Sequence, residues 1–229
     1  MTCAGTCQGS IVKITPGGVQ STFATLSQLN FQPEGVAFDH GGNLFVMAIN
    51  LADPNLASTI FKFTPNGVQS RFGSVPGQGF GLAFDASGNL FAADTGEIFK
   101  FLPDGTGTVS VGSNAFPPNN SPIDLAFDRF GNLLASTESG LVNDASNVIM
   151  KFTPNGVGST FASNLANYPR GLAFNRAGIL FVAEVGEAPN PPHTPGDILK
   201  FTPDGTRTVF AVLPSPAVNA GPEWLAFQR

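Results

Sequence analysis

Charge is scarce in this chain. Only 12% of the 229 residues are Asp, Glu, Lys or Arg, and the acids outnumber the bases 16 to 11, for a formal net charge of −5. Nucleic acid and anionic membranes both demand clustered Lys and Arg to displace counterions, so neither is expected as a partner. Cysteine is scarcer still. Cys3 and Cys7 stand in "TCAGTC", too few and too close for a disulfide framework or a four-ligand zinc site, which leaves one local bridge or two free thiols. No apolar run approaches the roughly 18 residues that cross a bilayer, and the first residues lack the basic-then-apolar pattern of a signal peptide, so a soluble chain is expected. There are two histidines, His40 and His193, neither with a positioned partner for base catalysis, and no "GxSxG" for a serine hydrolase.

What the chain has is Gly, Pro, Phe, Asn, Ser and Thr, a composition for short strands joined by tight turns. Two blocks alternate. One reads "GVAFDHGGNLFV" from Gly35, "GLAFDASGNLFA" from Gly81, "DLAFDRFGNLLA" from Asp124, "GLAFNRAGILFV" from Gly171 and a cut-off "WLAFQR" from Trp224. The other reads "IVKITPGGVQSTFA" from Ile11, with counterparts from Ile60, Ile98, Ile149 and Ile198. Each block places Asp or Asn with Gly, or Pro with Asn-Gly, Asp-Gly or Gly-Gly, between two β-rich runs, and so predicts a hairpin. Two hairpins make a four-stranded meander. Repetition of a meander about every 45 residues predicts an all-β protein, a β-propeller over residues 1–229 as a single domain, with Phe38, Phe84, Phe127, Phe174 and Phe227 at one packing site and Phe45, Phe91 and Phe181 at another. Five copies predict five four-stranded blades, with the ring closed by pairing of the N- and C-terminal strands; six blades, or part of a larger propeller, are the alternatives. If closure fails, a neighbouring molecule can supply the strand, so the alternative to a monomer is an oligomer formed by strand exchange.

These motifs resemble the NHL-repeat propellers and, more distantly, the gluconolactonase-like and streptogramin-lyase-like propellers. The resemblance covers nearly the whole chain through "GLAFD..GNLFVAD" and "IFKFTPDG", and it implies a fold more than an activity.

In such a meander the stereotyped turns share one face and the irregular connections the other. Asp39, Asp85, Asp128, Asp104 and Asp204 lie in the turns, where a carboxylate caps backbone N–H groups. The other eleven acids, Glu34, Asp53, Asp94, Glu97, Asp124, Glu138, Asp144, Glu184, Glu187, Asp197 and Glu223, map to the irregular face or its rim, with Arg170 as the one basic residue there. The residues that begin each innermost strand converge on the channel: Glu34, Phe80, Ile123 with Asp124, Arg170 and Glu223. Glu34, Asp124 and Glu223 are therefore the candidate ligands for a hard divalent cation such as calcium, the one cofactor this set would take. Resemblance to gluconolactonases, where a Glu in an "EGP" context helps bind a catalytic metal, reaches Glu34 only. The competing reading pairs Glu34 or Glu223 with Arg170. Arg170, Phe80 and Trp224 are the candidate ligand-binding side chains, and Trp224 either stacks on a sugar or packs at the closure seam.

Three functions follow. The first is a non-enzymatic scaffold presenting an acidic, loop-rich face to a protein, a glycan or a cation. The second is a metal-dependent lactonase or related hydrolase, and the third a structural module that assembles through its open seam. Low lysine content with abundant Asn, Ser and Thr leans toward an extracellular or periplasmic protein.

Overall fold

The computed structural model describes residues 9–26, 31–50, 57–139, 147–165, 167–186, 196–212 and 225. Among these residues every regular element is a β-strand apart from one 3-10 turn at Ser113–Ala115, and no helix is long and apolar enough to cross a membrane. The first sheet pairs β1 (Ser10–Ile14) with β2 (Gln20–Thr25). Four sheets of four strands follow in chain order. They are β3 (Phe31–Phe38), β4 (Leu44–Asn50), β5 (Ser58–Phe63) and β6 (Gln69–Val75); then β7 (Gly79–Phe84), β8 (Leu90–Asp94), β9 (Glu97–Phe101) and β10 (Gly107–Val111). The last two are β11 (Ser121–Phe127), β12 (Leu133–Glu138), β13 (Ile149–Phe152) and β14 (Gly158–Ala162), and β15 (Tyr168–Phe174), β16 (Leu180–Val185), β17 (Asp197–Phe201) and β18 (Arg207–Val212). Each is a meander in which sequence neighbours pair, as the turn chemistry predicts. Five sheets match the five repeat copies. The first shows two strands among the described residues, and the pairing of the termini lies outside them.

The turns explain the repeated acids. Asp39, Asp85 and Asp128 each accept the backbone N–H and the side-chain amide of an Asn four residues on, at 2.7–2.9 Å, and Asn175 accepts the backbone N–H of Ile179. The Gly before each acceptor's partner, such as Gly88 at φ 82°, holds the left-handed conformation that closes the turn. All of these turns join first to second strands. They therefore stand at the end of each sheet opposite the second-to-third connections.

Contacts divide the chain into two compact units, residues 1–95 with 100–108 and residues 96–99 with 109–229. In the first unit, Leu26, Phe31, Leu44, Val46, Ala48, Phe61 and Phe63 form a buried cluster against which Ile11, Phe23 and Ala24 of the two-stranded sheet pack. Phe45 receives Phe72 of its own sheet and Phe84 of the next edge-on at 4.8 and 5.0 Å, so the Phe45–Phe84 pair of repeated sites is a contact between sheets. Phe38 departs from this pattern and is 62% exposed. Its repeated site faces the second strand of the preceding sheet, and the described residues of that sheet are β1 and β2. In the second unit, Leu134, Ile149, Leu172, Leu180, Val182, Leu199 and Phe201 bury the interval between the last two sheets. Lys62 and Lys100, at one repeated strand position, lie over the rings of Phe45 and Phe91.

Candidate functional site

The first strand of every four-stranded sheet is bulged at its beginning. The register shifts fall between Pro33 and Val36, Gly79 and Leu82, Pro122 and Leu125, and Pro169 and Gly171. A bulge takes a residue out of the ladder and redirects its side chain, and such irregularities collect beside binding sites. Glu34, Phe80, Ile123 with Asp124, and Arg170 occupy these bulges. Glu223 and Trp224 lie outside the described residues.

In the first unit the bulges of β3 and β7 are brought into contact. A Cβ on Gly35 would meet the carbonyl oxygen of Phe80 and lie 2.8 Å from the Cα of Gly81, so the two backbones touch where no side chain fits. Half-buried Glu34 projects beside this contact and accepts a hydrogen bond from the amide of Gln32. Asp94, at the end of β8, is buried and accepts the N–H of Gly77 at 3.1 Å, tying the β6–β7 connection to its sheet.

The second unit solves the same close approach differently. Asp124 stands at the repeat position that Gly35, Gly81 and Gly171 hold, and its carboxylate reaches across to β15, where Oδ2 accepts the N–H of Leu172 at 2.8 Å. Ser136 completes the strap: its hydroxyl accepts the N–H of Asp124 and donates to the carbonyl of Arg170. Burial pushes the Asp124 carboxyl up to about 7, against the pull of the Leu172 and Leu125 N–H groups. A carboxyl whose pKa rises on folding binds more protons folded than unfolded. Its contribution to stability is therefore whole below the ordinary value of 3.8 and is lost as pH rises toward about 7. Thermal melts of Asp124→Asn should lack that part of the pH dependence. Asp124→Ala should cost about 1–3 kcal/mol, because it leaves the buried Leu172 N–H without its acceptor.

Arg170 is engaged by Glu138, with Nη2 3.1 and 3.2 Å from the two carboxylate oxygens; its expected alternative partner Glu223 lies outside the described residues. One further acidic site emerges that sequence reasoning placed on the irregular face without singling it out. Glu184 of β16 and Asp197 of β17 are register partners, and Glu184 is 1% exposed. Burial, then the hydrogen bond to Asp197 and its negative charge, push the Glu184 carboxyl well above the usual carboxylate range, while Arg207 pulls the other way. The sequence signal was "LFVAEV", a carboxylate inside a run of otherwise apolar residues, at the repeat position held elsewhere by Ala48, Asp94 and Thr137.

Among the described residues no group of three or more His, Cys, Asp or Glu side chains could surround a metal ion. Of the expected trio, Glu34 and Asp124 belong to different units, Asp124 has one oxygen engaged by backbone, and Glu223 is not described.

No protein-family profile matches the chain, and neither does any curated protein sequence. Solved structures do. A catalytically inactive virginiamycin B lyase from Staphylococcus aureus with quinupristin aligns over 94% of this chain and 66% of its own length, with a TM-score of 0.63 at 17% identity. A gluconolactonase from Xanthomonas campestris aligns over 80% and 63%, with a TM-score of 0.61 at 22% identity. A calcium-binding protein, regucalcin, from Agrobacterium tumefaciens aligns over 78% and 58%, with a TM-score of 0.58 at 16% identity. The chain thus spans less than two thirds of the length of each of these structures. At these identities the likeness establishes the β-propeller fold, the level at which the gluconolactonase-like and streptogramin-lyase-like resemblance is supported.

Proposed function

We propose that the chain is a binding propeller, a non-enzymatic scaffold whose loop-bearing end presents carboxylates to a cationic partner. The carrying observation is where the unique acids stand. Seven of these acids stand at the end of their sheets opposite the Asp-Asn turns; Glu34, Glu97, Glu138 and Asp197 keep partial exposure there, while Asp94, Asp124 and Glu184 are buried. Loops on a rigid scaffold are the usual seat of recognition. Binding to an immobilised lysine-rich peptide should weaken at least tenfold between 50 and 500 mM NaCl, by screening, and Glu97→Gln should weaken it further. Salt-insensitive binding would overturn the reading.

The second reading is a metal-dependent lactonase with Glu34 among its ligands, favoured by the propellers named gluconolactonase and regucalcin that the chain is similar to. A divalent metal there would activate a water for attack on a lactone carbonyl. Gluconolactone hydrolysis assayed with calcium, manganese and zinc separates the two. No turnover above background is expected, and metal-dependent turnover abolished by Glu34→Gln would reverse the order.

We further propose a five-bladed ring in which residues 224–229 supply the first strand of the incomplete sheet and seat Phe227 against Phe181, which already holds Phe210 edge-on at 5.1 Å. The exposure of Phe38 supports a covering second strand in that sheet, to which the N-terminal residues would contribute. A closed ring has a monomer mass independent of dilution by light scattering; a mass that grows with concentration would favour assembly through the seam instead.

A further inference from the structure

Most of the carboxylates described above have an evident backbone or cationic partner. Asp124 has the N–H of Leu172, Asp94 that of Gly77, and Glu138 the guanidinium of Arg170. Glu184 and Asp197 have each other. The two side chains interact across the ladder, and Oε1 of Glu184 and Oδ1 of Asp197 are both buried with no hydrogen-bond partner among the described residues. Arg207 on β18 acts on Glu184 through its charge, yet its Nη1 donates to the carbonyl of Asn164. A buried carboxyl oxygen without a partner is costly, and in native proteins such an atom is usually answered by water or an ion. Two adjacent ones on facing strands, held by ladder-paired backbone rather than by a loop, form a preorganised pair of hard oxygen donors.

We infer that the Glu184 and Asp197 side chains together hold a divalent, oxygen-seeking cation of the calcium type, with carbonyl or water oxygens completing its shell. The site is built from residues of one sheet alone, and it stands whether or not the acidic end binds a partner. Its role is structural: the cation would pin β16 to β17 at the loop-bearing end of the last sheet.

The test is calcium, then magnesium, titrated into the full chain with calorimetry and thermal melting as readouts. One calcium per chain is expected, with a rise in melting temperature of about 5 °C or more at a hundredfold excess over Kd. Glu184→Gln and Asp197→Asn should each weaken binding at least tenfold and remove the thermal shift, while Glu34→Gln leaves both intact. If Glu184→Gln fails to fold, Asp197→Asn carries the comparison alone. Absence of heat and of thermal shift with both ions at millimolar concentration would mean that the pair holds only a proton, and the inference fails. It fails equally if calcium binds but both variants bind it as the wild type does.

Discussion

Gly35→Ala is expected to destabilise the protein by about 3 kcal/mol, lowering the melting temperature by roughly 6–12 °C. The added methyl would lie against the carbonyl oxygen of Phe80 and the Cα of Gly81. Both are backbone atoms of an adjacent inner strand, and backbone held in a ladder cannot rotate away as a side chain can. The strands must separate, and the Phe45–Phe84 contact at 5.0 Å loosens with them. Gly17→Ala is the control. At that turn the nearest atom to a new Cβ is a threonine hydroxyl 4.0 Å away, so a near-neutral result is expected. Calorimetric melts of the two variants check the pair, and an unaffected Gly35→Ala would mean that the inner strands do not meet at their bulges.

Glu184→Gln in cation-free solution should stabilise the folded chain by about 1–2 kcal/mol at pH 8, a gain of roughly 3–6 °C. The side chain is buried against Asp197, and an amide can keep a hydrogen bond to that carboxylate without a second negative charge. Because the Glu184 pKa is raised on folding, its contribution to wild-type stability is whole below the ordinary value of 4.5 and falls as pH climbs above it. The variant's advantage should therefore grow from acidic to alkaline pH and shrink toward pH 4. Melts from pH 4 to 9 show it. A constant difference across that range would place the carboxyl in an environment no different from water.

The architecture was legible because it is written many times. "GLAFD" and "IFKFTPDG" mark hairpins through local turn chemistry, and Asp85 with Asn89 forms the bond that the spacing predicts. Chain position alone also sends Glu184, Asp197, Asp94 and Glu138 to the end away from the turns, since an antiparallel meander alternates its connections. The bulges beneath Glu34, Phe80 and Arg170 were not legible, because a register slip depends on how two strands fit and leaves no composition of its own. Trp224 and Glu223 were read from the sequence and lie outside the described residues.

The sequence by itself determined the repeating hairpins, the all-β class and the separation of uniform turns from irregular connections, for each of these follows from residues within a few positions of one another. Tertiary structure alone decided what the acids do. "DLAFD" shows an aspartate where a glycine usually stands, but only the approach of β15 turns Asp124 into an acceptor for Leu172, and only the β16–β17 register buries Glu184 against Asp197. A carboxylate's role depends on which donors, charges and solvent surround it, and those neighbours come from distant parts of the chain.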